Sequence, residues 1–195
     1  GINNLVMVTL GTGIGGGIVI NGELYLGADG SAAEIGHMII DVNGPACACG
    51  SNGCLESFAS GTAVARNARN RIKLGEESIL VDMVEGEIES ITAETVGEAA
   101  RDGDTLAIDI FSRAAYYLGV GLVNLVNIFN PEMIVLGGGL AGQLDFLLEP
   151  ARRVVDARAF RIAARTVVIV PTQLGGEAGV YGAAAYVFDR VKRGD

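Results

Sequence analysis

Between Glu34 and Glu56 the chain gathers its only histidine and all three of its cysteines. The segment reads Glu34-Ile35-Gly36-His37, then Cys47-Ala48-Cys49-Gly50, then Gly53-Cys54-Leu55-Glu56. His37, Cys47, Cys49 and Cys54 fall within eighteen residues. Four soft or borderline donors are the number and kind that a tetrahedral structural Zn2+ takes. The competing reading, cysteines as small buried apolar residues, fits scattered positions better than clustered ones. A disulfide framework does not fit, because three is odd and Cys47 and Cys49 are too close to pair without strain. Glu34 and Glu56 bracket the cluster. Acidic groups fixed beside a metal-pinned loop suit a small polyhydroxylated ligand.

A second candidate is Gly11-Thr12-Gly13-Ile14-Gly15-Gly16-Gly17. It satisfies G-x-G-x-x-G, but a dinucleotide fingerprint must pass from a strand into a helix. These glycines pass into Ile18-Val19-Ile20 and the hairpin signal Asn21-Gly22, so the dinucleotide reading is rejected. No Gly-Lys-Ser/Thr follows. Five glycines in seven residues exceed what one tight turn needs. Gly11, Gly13, Gly15 and Gly16 can bring backbone N–H groups close to a phosphate, and Thr12 adds a hydroxyl. Gly137-Gly138-Gly139 follows an apolar strand and precedes a helix, the position where open α/β sheets bind ligands.

These residues need a frame. The chain has 195 residues, half of them hydrophobic, enough for one substantial core. A formal net charge of −9 argues against nucleic acid or an anionic membrane as partner of this domain. Residues 74–100 carry eight acidic side chains and no Lys or Arg, which reads as a solvated face or loop. The apolar stretch Leu118 to Phe129 is interrupted by Asn124 and Asn127 and falls short of a membrane span. Free cysteines without a visible signal peptide favour the cytoplasm. The chain enters a strand at once after Gly1-Ile2-Asn3-Asn4, without an initiator Met, and is expected to be the downstream part of a longer protein.

The pattern predicts strands at Leu5 to Leu10, Gly17 to Ile20, Glu23 to Leu26, His37 to Asp41, Met133 to Leu136 and Thr166 to Val170. It predicts helices from Gly61 to about Ile72, from Thr92 to near Gly103, from Asp104 to about Phe129, from Leu144 to about Ile162 with a break at Pro150, and from Glu177 to Val191. A meander first and alternating strands and helices later mean an α/β fold with a mixed sheet.

The three motifs, with Val135-Leu136-Gly137-Gly138-Gly139, resemble the ROK family of bacterial repressors, open reading frames and sugar kinases, and its glucokinases most closely. The resemblance spans most of the chain. It implies an actin-like, hexokinase-like (ribonuclease H-like) ATPase fold, with residues 1–195 as the large C-terminal domain and the zinc-binding loop at 37–54. The small N-terminal domain would lie outside this chain. It further implies His37, Cys47, Cys49 and Cys54 on Zn2+, and Glu34, His37 and Glu56 on sugar hydroxyls. ATP with Mg2+ would sit on Thr12, its neighbouring glycines and Gly137 to Gly139. The implied activity is phosphorylation of the 6-hydroxyl of glucose by a cytoplasmic enzyme that is a homo-oligomer, expected as a dimer. Other hexoses, N-acetylated amino sugars and the sugar-sensing half of a ROK repressor are the alternatives. The family's catalytic Asp is expected upstream of Gly1, so no residue here is assigned as base and the isolated chain is expected to be inactive. Ala33 stands where the family usually has Gly, a change given little weight.

Overall fold

The computed structural model describes residues 1–175 and 178–193. Its five-stranded sheet has the order β3-β2-β1-β4-β5, built from β1 (Leu5–Leu10), β2 (Ile14–Ile20), β3 (Glu23–Leu24), β4 (Met133–Gly137) and β5 (Val168–Pro171). In β1, Val6, Val8 and Leu10 alternate into the core, as a period of two requires. β2 returns antiparallel to β1, whereas β4 runs parallel to β1 and β5 parallel to β4. The sheet is therefore mixed, as expected. Asn21 and Gly22 both take positive φ, 54° and 81°, the requirement of the tight hairpin turn their sequence announces.

The helices are α1 (Glu56–Ala59), α2 (Gly61–Lys73), α3 (Leu80–Met83), α4 (Ala93–Arg101), α5 (Thr105–Phe129), α6 (Leu144–Arg158), α7 (Arg161–Thr166) and α8 (Ala178–Arg193). Ser60, Thr92 and Asp104 cap α2, α4 and α5, each accepting an N–H three residues on. Asn130, left-handed at φ 44°, closes α5 before Pro131. By length and composition α5 would pass for a membrane span, but most of that window is buried against its neighbours, the pattern of a core helix. Glu177, expected to open the last helix, lies outside the described residues.

Two local expectations change. Residues His37 to Asp41 are not a strand: Ile35–His37 is a 3-10 turn, and Ile39 makes only a single bridge to Cys54. The segment presses too closely on β2 for an extended partner strand. A Cβ on Gly36 would lie 2.1 Å from the Ile14 carbonyl oxygen, and one on Gly16 2.3 Å from Ile35 Cδ1. Pro150 does not break α6. The helix is held along its length on α5, where Gly119 admits α6 so closely that a Cβ would meet Val154 Cβ at 2.5 Å. Burial of Leu147, Ala151 and Val155 outweighs the roughly 3 kcal/mol penalty of an interior proline.

The acidic segment is a solvated face, as expected, with all eight acidic side chains exposed. Leu80 and Ile91 are fully buried in the core. Glu76 pairs with Arg71 at 2.6 Å, and Glu89 with Lys73 and Arg69, so the acids fold back on the basic last turns of α2. Asp104 ties the segment down, accepting the Ile79 N–H at 2.9 Å while capping α5 at Ala107, 2.8 Å. Asp104→Ala is expected to lower stability of the intact protein by about 1–2 kcal/mol, and Asp104→Asn by less. Urea unfolding of both variants measures it, and an unchanged midpoint for the alanine variant would contradict this role.

Candidate active site and metal centre

The four predicted metal donors converge. Cys47 Sγ lies 3.7 Å from His37 Nδ1, Cys49 Sγ lies 3.7 Å from Cys54 Sγ, and all four donor atoms fall within 4.8 Å of one another. A zinc tetrahedron with bonds of about 2.3 Å has edges of about 3.8 Å, so the donors need close by no more than about 1 Å. The residues fit a tetrahedral Zn2+ by type, number and spacing. Their loop is shaped by its own backbone, with Cys47 N–H on Ser51 O at 2.8 Å and Gly53 N–H on Pro45 O at 2.8 Å. Gly53, at φ 72°, can only be glycine, since a Cβ would lie 1.6 Å from Asp41 O.

The thiols are unequal. The backbone N–H of Cys49 donating to its sulfur brings Cys47 down to about 6, whereas burial pushes Cys54 up to about 12. A dication binding there would displace the proton that burial holds on Cys54. His37 turns Nδ1 to the sulfurs and Nε2 to Glu34, 3.9 Å from Oε2. One ring nitrogen is thus placed for metal and the other for an outside partner.

Glu34 and Glu56 arrive at the same end of β2 by different routes. Glu34 lies on the segment that Gly36 presses against Ile14, and two thirds of its side chain is exposed. Glu56 opens α1 directly after Cys54 and the fully buried Leu55. Its Oε2 accepts the Ile14 N–H at 2.8 Å. Ala33, before Glu34, holds φ 67°. That left-handed conformation strains any residue with a Cβ, so the difference from the family's glycine has a cost where none was expected.

The glycines divide by role. Gly15 and Gly16 belong to β2, where their missing side chains make room for Thr9 Oγ1 and Ile35. Gly137 leaves space for Met7 and Thr172, and Gly138, at φ 100°, lets β4 close on Leu10. Gly11, Thr12 and Gly139 instead line a cavity of about 670 Å3. It opens at the carboxyl ends of the parallel pair β1 and β4, each followed by its glycine turn. Gly13 lines a smaller neighbouring cavity of about 290 Å3, which shares Thr12 and Thr62 with the first and reaches Cys47 and Glu56.

Sequence reasoning missed the rest of the larger cavity: Gly61 and Thr62 at the start of α2, Thr92 to Glu94 at the start of α4, Arg69 and Gln143. Two helix N-termini thus face one cavity, which favours an anion there through free N–H groups and the helix dipole. The two caps, Ser60 and Thr92, were the legible signal, but nothing in the sequence showed that both helices start at one place. Gln143 is 6% exposed and offers an amide to the cavity wall.

Cys54→Ala is expected to lose the metal and several kcal/mol of stability, with wild type at one zinc per chain. Metal analysis beside thermal unfolding tests this, and wild-type protein that is zinc-free yet as stable would contradict it. Ala33→Gly is expected to gain about 1 kcal/mol by relieving the left-handed alanine, read as a raised urea midpoint.

The model of the ROK family matches residues 1–190. The glucokinase of Thermotoga maritima is 39% identical over 191 residues, 98% of this chain and 60% of the relative. The xylose repressor of Caldicellulosiruptor bescii is 33% identical over 186 residues, 95% of this chain and 46% of the repressor. Among solved structures, the ROK glucokinase of Streptomyces griseus in complex with glucose and AMPPNP superposes with a TM-score of 0.85 at 38% identity, covering 95% of this chain and 61% of that one. The chain spans about 60% of the length of such kinases. On these matches the chain belongs to the ROK family.

Proposed function

We propose that this chain is the larger, C-terminal domain of an ATP-dependent hexose kinase whose substrate is glucose. The observation that carries the reading is the adjacency of two sites. The cavity walled by Gly11, Thr12, Gly139 and two helix N-termini suits a nucleotide's phosphates. The adjoining cavity reaches Glu56 and Cys47, with His37 3.7 Å from Cys47 and Glu34 3.9 Å from His37, and these carboxylates and imidazole suit sugar hydroxyls. The Streptomyces relative solved with glucose and AMPPNP supports placing both ligands on such a frame.

In this reading Glu34, His37 Nε2 and Glu56 orient the sugar, and zinc holds the loop that carries two of them. Ordering an eighteen-residue loop costs conformational entropy that a metal can offset. The backbone N–H of Thr12 and those at the starts of α2 and α4 hold the phosphates, and Mg2+ would supply charge neutralisation there. Transfer then depends on alignment of the sugar hydroxyl with the γ-phosphate rather than on covalent chemistry by the protein. The base that takes the hydroxyl proton is proposed to be an Asp on a segment outside these residues, in the small domain across the cleft. Apolar side chains exposed on α8, among them Val180, Val187 and Phe188, support a further part of the protein covering this domain.

The similarity to a xylose repressor supports a second reading, a sugar-sensing domain without kinase activity. The intact turn at Gly11 to Gly13 and the cavity beside it favour the kinase. Intact, zinc-loaded protein with Mg2+ is expected to phosphorylate glucose from ATP, and more efficiently than other hexoses or N-acetylated amino sugars. A coupled assay for glucose 6-phosphate tests it. Sugar binding without turnover, with sugar-sensitive DNA binding, would transfer the chain to the repressor class. His37→Ala is expected to lose both zinc and sugar affinity, and an alanine variant with normal zinc content would sink the dual role of the ring.

A further inference from the structure

Glu56 occupies a place that a sugar contact alone would not require. Its Oε2 accepts the Ile14 N–H at 2.8 Å, and Ile14 is where the glycine turn becomes β2. The same carboxylate fills the space beside Gly13. A Cβ there would lie 2.2 Å from Oε2 and 3.1 Å from Cδ, and its three nearest neighbours would all be Glu56 atoms. The other side of the turn is fixed separately. Gly61 N–H donates to Gly11 O at 2.7 Å, and Thr62 Oγ1 donates to Thr12 O at 2.7 Å. Gly11 and Thr12, which face the large cavity, are therefore strung between the start of α2 and the Glu56 carboxylate.

We propose that Glu56 is a positioning residue for the nucleotide-facing turn and that it couples the sugar corner to nucleotide affinity. A charge-assisted bond from a backbone N–H to a carboxylate is stronger and more directional than a neutral one, so it restricts where the turn can sit. A sugar hydroxyl donating to Oε1 restricts the carboxylate further. The nucleotide then meets a turn that has already lost its freedom, and by thermodynamic reciprocity it tightens the sugar by the same factor. The coupling rests on the reading of Glu56 as a sugar contact, whereas the positioning role does not.

The test is calorimetric titration of intact, zinc-loaded protein with Mg2+–AMPPNP and with glucose, alone and in sequence, for wild type, Glu56→Ala, Glu56→Gln, Gly13→Ala and the Gly13→Ala/Glu56→Ala pair. Without glucose, Glu56→Ala is expected to weaken AMPPNP about 5–20-fold, as for a lost hydrogen bond to a charged group, with zinc content unchanged. Glu56→Gln keeps a neutral acceptor and loses only about threefold. Gly13→Ala alone weakens AMPPNP comparably by displacing the carboxylate. The double variant binds no worse than either single one, because without the carboxylate the added methyl meets nothing nearby. In wild type, glucose tightens AMPPNP, and in Glu56→Ala that gain disappears. Additive losses in the pair, or wild-type AMPPNP affinity in Glu56→Ala, would overturn the positioning role. Weakened AMPPNP with unaltered glucose affinity in Glu56→Ala would support positioning and overturn the coupling together with the sugar reading. Should Glu56→Ala fail to fold, Glu56→Ser, which also clears the space, takes its place in the cycle.

Discussion

The hydrogen bond from the Ile14 N–H to the Glu56 carboxylate joins the two halves of this site, and three consecutive residues make it possible. Cys54 is a donor of the metal cluster. Leu55, fully buried, is planted in the core against Gly121 of α5, where a Cβ would meet its Cδ2 at 2.7 Å. Glu56 then has no freedom to be elsewhere, and its carboxylate meets the glycine turn. Burying a leucine is worth about 1.5–3 kcal/mol, so the anchor holds whether or not the metal is bound. A metal on the four donors would add definition to the loop upstream, where the local backbone makes only a few turn hydrogen bonds and single bridges.

The cavity beside this junction handles charge in a way that suits an acidic protein. The chain carries a net charge of −9, and among the described residues Arg69 is the one cation lining the large cavity. Arg69 is already committed to the Ile91 carbonyl, donating at 3.2 and 2.6 Å, with Glu89 close by. An anion there must be met by backbone N–H groups at the starts of α2 and α4 and by the Thr12 hydroxyl. Fixed dipoles of this kind need no reorganisation when the ligand arrives.

Local signals in the chain were read well where one residue type has one physical use. A single histidine with three cysteines in one loop is a donor set before any fold is known, and the structure brings the four together. Asn21-Gly22, Thr92 and Asp104 each marked a turn or helix start correctly, because each acts on its own backbone. The errors fall where a distant segment decides. Residues 37–41 carry a strand's composition, yet close packing of Gly36 on Ile14 leaves them a turn and a bridge. Pro150 looked like a break within a continuing helix because the face that α6 shares with α5 is invisible in a local window.

From the sequence alone followed the inventory: a four-donor metal loop, two flanking carboxylates, two glycine turns and a mixed α/β sheet. These follow from residue chemistry and from periodicity, which are local properties. Tertiary structure decided which glycines line a cavity and which only let strands and helices approach. It also decided that α2 and α4 begin at the same cavity. The assignment of Glu56 to the glycine turn belongs here as well. Glu56 and Ile14 are 42 positions apart, and only the burial of Leu55 in the core and the antiparallel return of β2 bring the carboxylate to that one N–H.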